Sequence, residues 1–346
     1  MKIAYFISSR KKKGPVIVVR DLVRLFSARG HECTVYYFDE SDEIEFDCPM
    51  RQITLRSVVD FSQYDVVHCH GGRPNIFVTL HKPLFCKARF FTSIHSYIFQ
   101  DFYYQYGKWK YLLYGWIVLF FTTRFDKVLV SSKDALRYYR KLIPWKKVDY
   151  SYNTIFTESV PLEEEEKKTV SDFKGEDLLI GCSASLNLRK GQHLLIEALP
   201  RLPGFKLFLL GTGPAEAYYR DLVRKHHLED RVFFRGFRMN WTAYLPFFDI
   251  YAMPSFSEGC PLALLEAAAF GSRVVSSNIP VLVEMFGEDE AVFFDIKDPA
   301  GIPDAVREAM KKDGLREHIK ARFDRDYSHE AVYSRMYGIY RGEEGN

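Results

Sequence analysis

Two carboxylates that stand eight residues apart mark the stretch of the chain best suited to chemistry. Glu258 and Glu266 flank a turn and the opening of an apolar helix that follows Pro261. The first N–H groups of such a helix have no partner within the helix, and they carry a partial positive charge. A phosphate group binds well at that position, so the stretch predicts a site for a phosphate-bearing ligand between two acids.

The elements around the two acids place them at the edge of a sheet. Residues 248–255 have the pattern of a short buried strand closed by Pro254, so the order is strand, loop and helix. Glu258 then lies in the loop, and Glu266 lies about two turns into the helix. Open parallel sheets bind ligands at the carboxyl ends of their strands, which is where this loop is expected.

Strand and helix patterns alternate through almost the whole chain, which predicts βαβ units and parallel sheets. A helix pattern over residues 16–29 follows the first strand, and residues 330–340 form a last helix rich in tyrosine. The predicted strands cover residues 2–8, 33–38, 65–70, 90–95, 127–131, 178–181, 206–210, 232–234, 249–253, 274–276 and 291–294.

Length and composition favour two domains. The chain has 346 residues, of which 47% are apolar, and this is enough for two packed cores. Residues 162–168 form a charged run with four consecutive glutamates, and we interpret this run as the linker between the domains. The first domain is therefore expected over residues 1–165 and the second over residues 166–327.

The stretch from Pro254 to Ala267 resembles the Glu-x7-Glu element of the retaining glycosyltransferases of family 4, which have the GT-B fold. The resemblance implies an α/β protein with two Rossmann-like parallel-sheet domains facing a cleft. The first domain would bind the acceptor, the second would bind the nucleotide sugar, and a C-terminal helix within residues 328–346 would cross back to the first. In that family the first acid lies by the donor sugar and the second binds the ribose, roles that would fall on Glu258 and Glu266.

Two cations match the site that the family uses for the donor diphosphate. Arg189 and Lys190 stand before a glycine at the start of a predicted helix, where point charge and helix dipole add. The resemblance implies that these cations, with the N–H groups of Gly259, Leu262 and Ala263, stabilise the leaving diphosphate without a metal.

In the first half of the chain the resemblance rests on Gly14 and His95. Gly14 occupies the loop after the first strand, where the family carries glycines near the donor phosphates, although Pro15 replaces the second glycine. His95 ends a predicted strand and matches a family histidine that lies near the transferred sugar. His68 and His70 end the preceding strand, and a structural role is favoured for His68.

The sequence predicts neither a metal site nor a cofactor. No Asp-x-Asp motif lies near a predicted strand end, and Asp324 and Asp326 are expected to be solvated in a charged helix. The run from Gly211 to Gly213 lacks the third glycine of a dinucleotide fingerprint, because Glu216 stands there, and is interpreted as a tight turn. The nucleotide sugar is expected as a co-substrate, with a UDP-sugar favoured over a GDP-sugar.

Cysteine usage and the N-terminal pattern favour a cytoplasmic location. The six cysteines show neither a C-x-x-C pair nor zinc spacing, and they are interpreted as buried thiols in a reducing compartment. The first apolar run precedes the basic residues 10–13, which is the reverse of the order in a signal peptide. The longest apolar run, residues 111–121, is too short for a bilayer span of roughly 20 residues.

The first half of the chain is basic and contains a dense aromatic stretch. Residues 1–160 carry 24 Lys and Arg against 15 Asp and Glu, so a membrane surface, a lipid phosphate or nucleic acid are candidate partners, beside a chance imbalance. No known nucleic-acid-binding module accompanies the charge, which argues against that partner. Residues 99–110 are favoured as facing lipid on the inner surface of an anionic cell membrane, and residues 112–121 as a buried crossover helix.

The resemblance implies a retaining glycosyltransferase of the hexosyltransferase type. It would move a sugar from a nucleotide-sugar donor to a glycan or a polyprenyl-diphosphate-linked acceptor, in bacterial surface polysaccharide biosynthesis. Two alternatives stay open: a GT-B sugar-nucleotide epimerase or synthase with a soluble acceptor, and a non-catalytic nucleotide-binding partner subunit. The presence of Glu258, Glu266, Arg189, Lys190 and His95 argues against the second alternative.

Overall fold

A computed structural model describes residues 1–106, 110–156 and 160–343 of the chain. The chain forms two compact units, one of Met1–Ile155 with Tyr327–Asn346 and one of Phe156–Asp326. Lys108 and Trp109, which belong to the segment predicted to face lipid, lie outside the described residues.

The first unit is built on one parallel sheet. Its strands are β1 (Lys2–Ser9), β2 (Glu32–Asp39), β3 (Met50–Gln52), β4 (Val66–His70), β5 (Arg89–Ile94), β6 (Lys127–Val130) and β7 (Val148–Tyr150). They lie in the order β3-β2-β1-β4-β5-β6-β7, and all the pairs are parallel. The helices between them are α1 (Gly14–Ser27), α2 (Gly72–His81), α3 (Ile98–Tyr106), α4 (Lys110–Phe120) and α5 (Lys133–Leu142).

The central strands of this sheet, β1, β4 and β5, are largely buried. In β1 the five residues from Ile3 to Ile7 are buried without alternation, as expected for a strand covered on both faces. The register pairs Ile7 with His70, and His70 with Ser93. The last residues of β1, β4 and β5 are therefore neighbours at one edge of the sheet.

The second unit contains a second parallel sheet. Its strands are β8 (Leu178–Ser183), β9 (Phe205–Leu210), β10 (Val232–Gly236), β11 (Ile250–Met253), β12 (Val274–Ser277) and β13 (Val292–Phe294), in the order β10-β9-β8-β11-β12-β13. Its helices are α6 (Glu164–Lys174), α7 (Gln192–Ala198), α8 (Glu216–Lys225), α9 (Leu262–Ala269), α10 (Pro280–Met285), α11 (Ile302–Lys311) and α12 (Leu315–Asp326).

The last helix, α13 (His329–Arg341), belongs to the first unit, as the resemblance implied. Arg335 lies 2.7 Å from Asp149, and Arg29 lies 2.7 Å from Glu330. The hydroxyl of Tyr340 reaches the interior of the sheet, where it lies 2.6 Å from a ring nitrogen of His68. Polar contacts at both ends of the helix therefore hold it on this unit.

The charged run at residues 162–168 is not a linker, because most of it folds into α6 of the second unit. Glu166 connects α6 to the rest of the second unit. Its carboxylate accepts hydrogen bonds from Arg235 and from the hydroxyl of Tyr244. The bonds from Arg235 outweigh partial burial and hold the pKa of Glu166 below its ordinary value.

The aromatic stretch of the first unit is more exposed than expected. Residues 112–121 were expected to be buried, yet in α4 only Gly115 and Leu119 are buried. Gly115 is required there, because a side chain would collide with the ring of Phe99. The exposed apolar residues of α3 and α4 are Tyr103, Tyr104, Leu112, Leu113, Tyr114, Trp116, Ile117 and Phe120.

Two further observations concern membranes and thiols. Within the described ranges, no helix combines the length and apolar character that a bilayer span requires.

All six cysteines are free, and Cys48 and Cys86 are only partly buried, in contrast to the expectation that all six are buried.

We predict that Glu166→Ala lowers the free energy of unfolding by about 2 kcal/mol, because Arg235 and Tyr244 would lose their common acceptor. Glu165→Ala is the matched control, since Glu165 is exposed on the same helix; it should change stability by less than about 0.5 kcal/mol. Urea unfolding of both variants measures the difference. Equal stabilities would contradict the anchoring role of Glu166.

Candidate functional site

The carboxyl edge of the second sheet brings both predicted cations against the loop that holds Glu258. Strands β8 and β11 are neighbours although β9 and β10 separate them in sequence, so their following loops meet at a topological switch point. The ammonium nitrogen of Lys190 lies 2.6 Å from Oε1 of Glu258. Arg189 donates a hydrogen bond of 2.7 Å to the carbonyl of Ser257.

Glu258 is a buried carboxylate, with only 5% of its surface exposed. Burial opposes ionisation and would by itself raise the pKa. The charges of Lys190 and Arg189 outweigh that penalty, and Ser255 adds a hydrogen bond, so the pKa of Glu258 lies below its ordinary value. The acid is therefore ionised and paired at neutral pH.

Glu266 is held by an indole that sequence reasoning did not identify. The Nε1–H of Trp241 donates a hydrogen bond of 2.9 Å to Oε2 of Glu266. Because Pro261 has an extended backbone, α9 begins at Leu262 and Glu266 lies little more than one turn into it, rather than two. A carboxylate accepts several hydrogen bonds at once, so the indole orients Glu266 without exhausting its capacity.

The three predicted N–H donors lie where the chain enters α9. Gly259 precedes the helix, and Leu262 and Ala263 are its first two residues. At the start of the helix, the N–H of Leu264 donates to the carbonyl of Pro261. The N–H groups of the opening turn precede the regular ladder, as at any helix start, and they are the groups that suit a phosphate.

Two glycines allow the loops of this edge to approach each other. Gly191 has a φ of 71°, and a side chain there would strike the carbonyl of Pro254. Gly211 has a φ of 135°, and a side chain there would strike the carbonyl of Ala184. The predicted tight turn at Gly211 is thus a point where two backbones touch.

The first unit places Gly14 and His95 at the carboxyl edge of its own sheet. Gly14 is the first residue of α1 and follows the loop after β1. A side chain at Gly14 would meet no atom of the described residues within 4 Å, so their packing does not require glycine there. His95 directly follows β5.

His70 and His95 form a hydrogen-bonded pair. His70 Nδ1 lies 2.8 Å from His95 Nε2, and the rings are stacked with centroids 5.0 Å apart. Burial lowers the pKa of His95 to about 4. Burial, followed by the nearby His68 and His95, also holds the pKa of His70 well below its ordinary value. Both rings are therefore neutral at pH 7.

The surroundings of His70 select one tautomer of the pair. His70 Nε2 is buried and has no hydrogen-bond partner among the described residues. A buried N–H without an acceptor is rarer and more costly than a buried lone pair. We therefore assign the proton of His70 to Nδ1, from which it is donated to His95 Nε2. His95 then carries its own proton on Nδ1.

His68 has the structural role that was favoured for it. The residue is fully buried, and its ring nitrogens lie 2.6 Å from the hydroxyl of Tyr340 and 2.8 Å from that of Ser93. Burial, together with the nearby His95, lowers the pKa of His68 to about 3. The ring is neutral at pH 7 and links α13 to the interior of the sheet.

The structure thus brings Lys190 into contact with Glu258 and Arg189 into contact with the neighbouring Ser257, and Glu266 follows on α9. Of the partners that reasoning missed, Trp241 gave no signal, because it lies 25 residues before Glu266 in a short 3₁₀ segment. The pairing of His70 with His95 could have been inferred, since both residues end neighbouring strands.

The acids that were expected to be solvated have partners on their own helix. Asp324 and Asp326 form ion pairs of 3.0 Å with Lys320 and Arg322. In the part of the chain that the structure describes, no group of three His, Cys, Asp or Glu side chains is arranged to hold a metal.

Two family models match the chain. Glycosyl transferases group 1 matches residues 163–324, and Glycosyltransferase Family 4 matches residues 13–159. The O-antigen biosynthesis glycosyltransferase WclY of Escherichia coli is 32% identical to the chain over 354 residues, which cover 100% of this chain and 98% of that protein.

Solved structures are similar over the full length. Sucrose-phosphate synthase from Thermosynechococcus elongatus has a TM-score of 0.81 at 18% identity, covering 99% of this chain and 98% of that one. HepE of Anabaena, in complex with UDP and glucose, has a TM-score of 0.78 at 16% identity, covering 99% of this chain and 100% of that one. At such identities the likeness establishes the fold alone.

We predict that His70→Asn preserves the state of His95 and that His70→Gln does not. An Asn side chain places a polar atom near the position of Nδ1, which bonds His95, whereas a Gln side chain places it near Nε2. Nitrogen NMR of the His95 ring should show one tautomer in the wild type and in His70→Asn, and a mixture in His70→Gln. His70→Gln should also be about 1 kcal/mol less stable than His70→Asn. A single His95 tautomer in both variants would refute the assignment.

Proposed function

The chain belongs to family 4 of the glycosyltransferases, and we propose that it transfers a sugar from a UDP-sugar to a lipid-linked glycan with retention of anomeric configuration. The membership rests on the full-length relative at 32% identity and on the two family models. The predicted GT-B fold of two Rossmann-like sheets and the predicted enzyme class are thereby confirmed. The observation that carries the proposed chemistry is the buried ion pair of Lys190 and Glu258.

That ion pair supplies opposite charges side by side. A nucleotide sugar has a polyhydroxylated ring joined to a dianionic diphosphate, so it needs hydrogen-bond acceptors and cations next to each other. Glu258 is proposed to accept hydrogen bonds from sugar hydroxyls, while Lys190 and Arg189 contact the diphosphate. The N–H groups of Gly259, Leu262 and Ala263 would add donors for the same phosphate oxygens.

Transfer breaks the bond between the anomeric carbon and the diphosphate oxygen, and it forms a bond from that carbon to an acceptor hydroxyl. Negative charge develops on the leaving oxygen, and the two cations would stabilise it without a metal ion. The leaving phosphate would take the proton of the acceptor hydroxyl on the same face of the sugar. His95 is proposed to hold the transferred sugar through its Nδ1–H, the proton that the contact with His70 leaves available.

The nucleotide would be held by Glu266 and by the end of β10. Glu266 is proposed to accept hydrogen bonds from the two ribose hydroxyls, in the orientation that Trp241 fixes. Phe237, just after β10, is 54% exposed and offers a ring for a nucleobase. UDP is the proposed nucleotide, in keeping with the complex of HepE with UDP and glucose.

A lipid-linked acceptor and a role in bacterial surface polysaccharide biosynthesis are proposed from two observations. The relative that spans the chain is named for O-antigen biosynthesis. The helices α3 and α4 expose tyrosines, Trp116 and aliphatic side chains on the first unit, which is proposed to bind the acceptor, and such a surface suits peripheral contact with the inner face of an anionic cell membrane. A soluble acceptor is the alternative that the acceptor experiment addresses.

We predict that UDP-sugars, and not GDP-sugars, stabilise the protein against thermal unfolding. A ligand at about 100 times its Kd contributes roughly 2.7 kcal/mol, or a few degrees in Tm. Glu266→Ala should abolish the shift. Glu266→Gln is the matched variant, because its amide oxygen can still accept from Trp241 while the charge is lost; it should retain a smaller shift. Stabilisation by GDP-sugars alone would refute the assigned nucleotide.

We predict that turnover requires a polyprenyl-diphosphate-linked acceptor and preserves the configuration of the donor. Anomeric proton couplings in the NMR spectrum of the product report the configuration, and an inverted product would overturn the mechanism. EDTA should leave the rate unchanged, because Arg189 and Lys190 provide the positive charge. Efficient turnover on soluble glycans without lipid would instead favour the alternative acceptor class.

A further inference from the structure

A groove of about 750 Å³ opens at the edge of the first sheet where β5, β6 and β7 begin. Its volume lies within the range of small-molecule sites. The six residues of β5 span about 20 Å, so the groove is well separated from His95 at the other end of that strand. Its charged lining consists of Arg89, Lys127, Arg140, Lys146, Lys147, Asp126 and Asp149.

The two carboxylates of the groove are already neutralised. Asp149 pairs with Lys127 at 3.0 Å and with Arg335 at 2.7 Å. Asp126 pairs with Lys82 at 3.1 Å, and it also accepts a hydrogen bond from the backbone N–H of Phe90. Each acid of the groove therefore already has a cation as its ion-pair partner.

Four of the cations form no ion pair with a carboxylate in the described part of the chain. Three of them donate to main-chain carbonyls instead, with Arg89 bonding Tyr340 at 3.2 Å and Arg140 bonding Val148 at 3.4 Å. Lys146 donates to the carbonyls of Thr123 and Phe125. The fourth cation, Lys147, is exposed at the rim.

The chain positions these cations rather than leaving them on mobile side chains. Gly342 has a φ of 79°, and a side chain there would collide with the guanidinium of Arg89, so the glycine permits the contact after α13. The main-chain acceptors fix Arg140 and Lys146 in the same way. Burial lowers the pKa of Lys146, as expected for a cation held in a partly desolvated wall.

Exposed apolar side chains lie on the loops that enter the strands of the groove. Parallel strands begin at one edge of a sheet, so the loops that enter β5 and β7 lie at the same edge, on either side of β6. The first loop carries Leu84 and Phe85, and Phe85 is 95% exposed; the second carries Trp145, which is 67% exposed. Because Lys146 bonds the carbonyl of Thr123, the groove also adjoins the turn that follows α4.

We propose that this groove binds the phosphate of an anionic phospholipid headgroup. Clustered cations recognise phosphate oxygens, and projecting aromatic and aliphatic side chains among them suit the interface of a bilayer. A free phosphate compound would share the chemistry of the groove, but it would not account for Phe85 and Trp145. The site is independent of the proposed sugar transfer, since none of its residues was assigned to the donor, the sugar or the acceptor.

The test is co-sedimentation of the full chain with phosphatidylglycerol vesicles, and with phosphatidylcholine vesicles for comparison. Arg140→Glu with Lys147→Glu should weaken binding to the anionic vesicles by at least about tenfold, because each cation near an anionic surface contributes severalfold. Lys225→Glu with Lys297→Glu is the control; it makes the same change in net charge at exposed positions of the second unit. Equal weakening in both double variants would overturn the proposal.

A soluble arm separates the two sources of phosphate. The extent of acetylation of Lys147 is measured by mass spectrometry with and without inorganic pyrophosphate. Because Lys147 lines the groove, this measurement reports binding at the groove and not at the donor site. If pyrophosphate protects Lys147 but the variants bind vesicles like the wild type, the proposal of a phospholipid ligand is overturned. The groove would then be assigned to a soluble phosphate compound. Neither protection nor an effect on vesicles would overturn the site.

Folding and donor binding are controlled separately. Arg140→Gln with Lys147→Gln removes the charges without reversing them, and it should weaken vesicle binding in the same direction while leaving Tm unchanged. The thermal shift with a UDP-sugar should be the same in all these variants. The thermal shift tests the proposed UDP-sugar donor and vesicle binding tests the groove, so each proposal can fail without the other.

Discussion

The ion pair between Lys190 and Glu258 is the contact on which the second unit's site depends. Burying either charge alone would cost several kcal/mol, so each residue requires the other. Because one partner follows β8 and the other follows β11, the pair also fixes two loops that meet at the switch point of the sheet. The contact of Gly191 with Pro254 adds a steric constraint on the same loops. The site is thus preorganised by interactions of its own residues, which lowers the ordering cost of binding a charged ligand.

The first unit solves the same positioning problem with neutral groups. His68, His70 and His95 are kept uncharged by burial, and each is fixed by a hydrogen bond instead of an ion pair. Tyr340 brings the C-terminal helix into that arrangement, so the end of the chain supports residues that are more than 240 positions earlier. Neutral rings can present either a donor or an acceptor to a sugar hydroxyl, depending on the tautomer, and a charged ring would present donors alone. The low pKa values therefore keep both tautomers of His95 accessible, and the hydrogen bond from His70 selects one of them.

Most strands could be predicted from the sequence, including the three-residue edge strand β13, but the edge strands β3 and β7 could not. Strands β3 and β7 have three residues each and, unlike β13, no run of apolar residues; they exist because β2 and β6 offer unpaired edges. The glutamate run at α6 was misread because a count of charges does not show that Glu166 meets Arg235 and Tyr244. The motif at Glu258 and Glu266 was visible because the loop and helix are contiguous in sequence. Trp241 was not visible, since only tertiary contact brings it to Glu266.

The same limit applies to charge. The excess of Lys and Arg in the first half was read from composition, and composition treats every cation alike. In the folded unit, the basic run at residues 10–13 begins with Arg10, which is buried, pairs with Asp42 and lies over the ring of Tyr37. By contrast, Arg89 and Arg140 bond only main-chain carbonyls among the described residues, so their charge remains available. The electrostatic character of a surface is set by which carboxylates the fold places beside which cations, and that pairing follows from strand order and register rather than from the count.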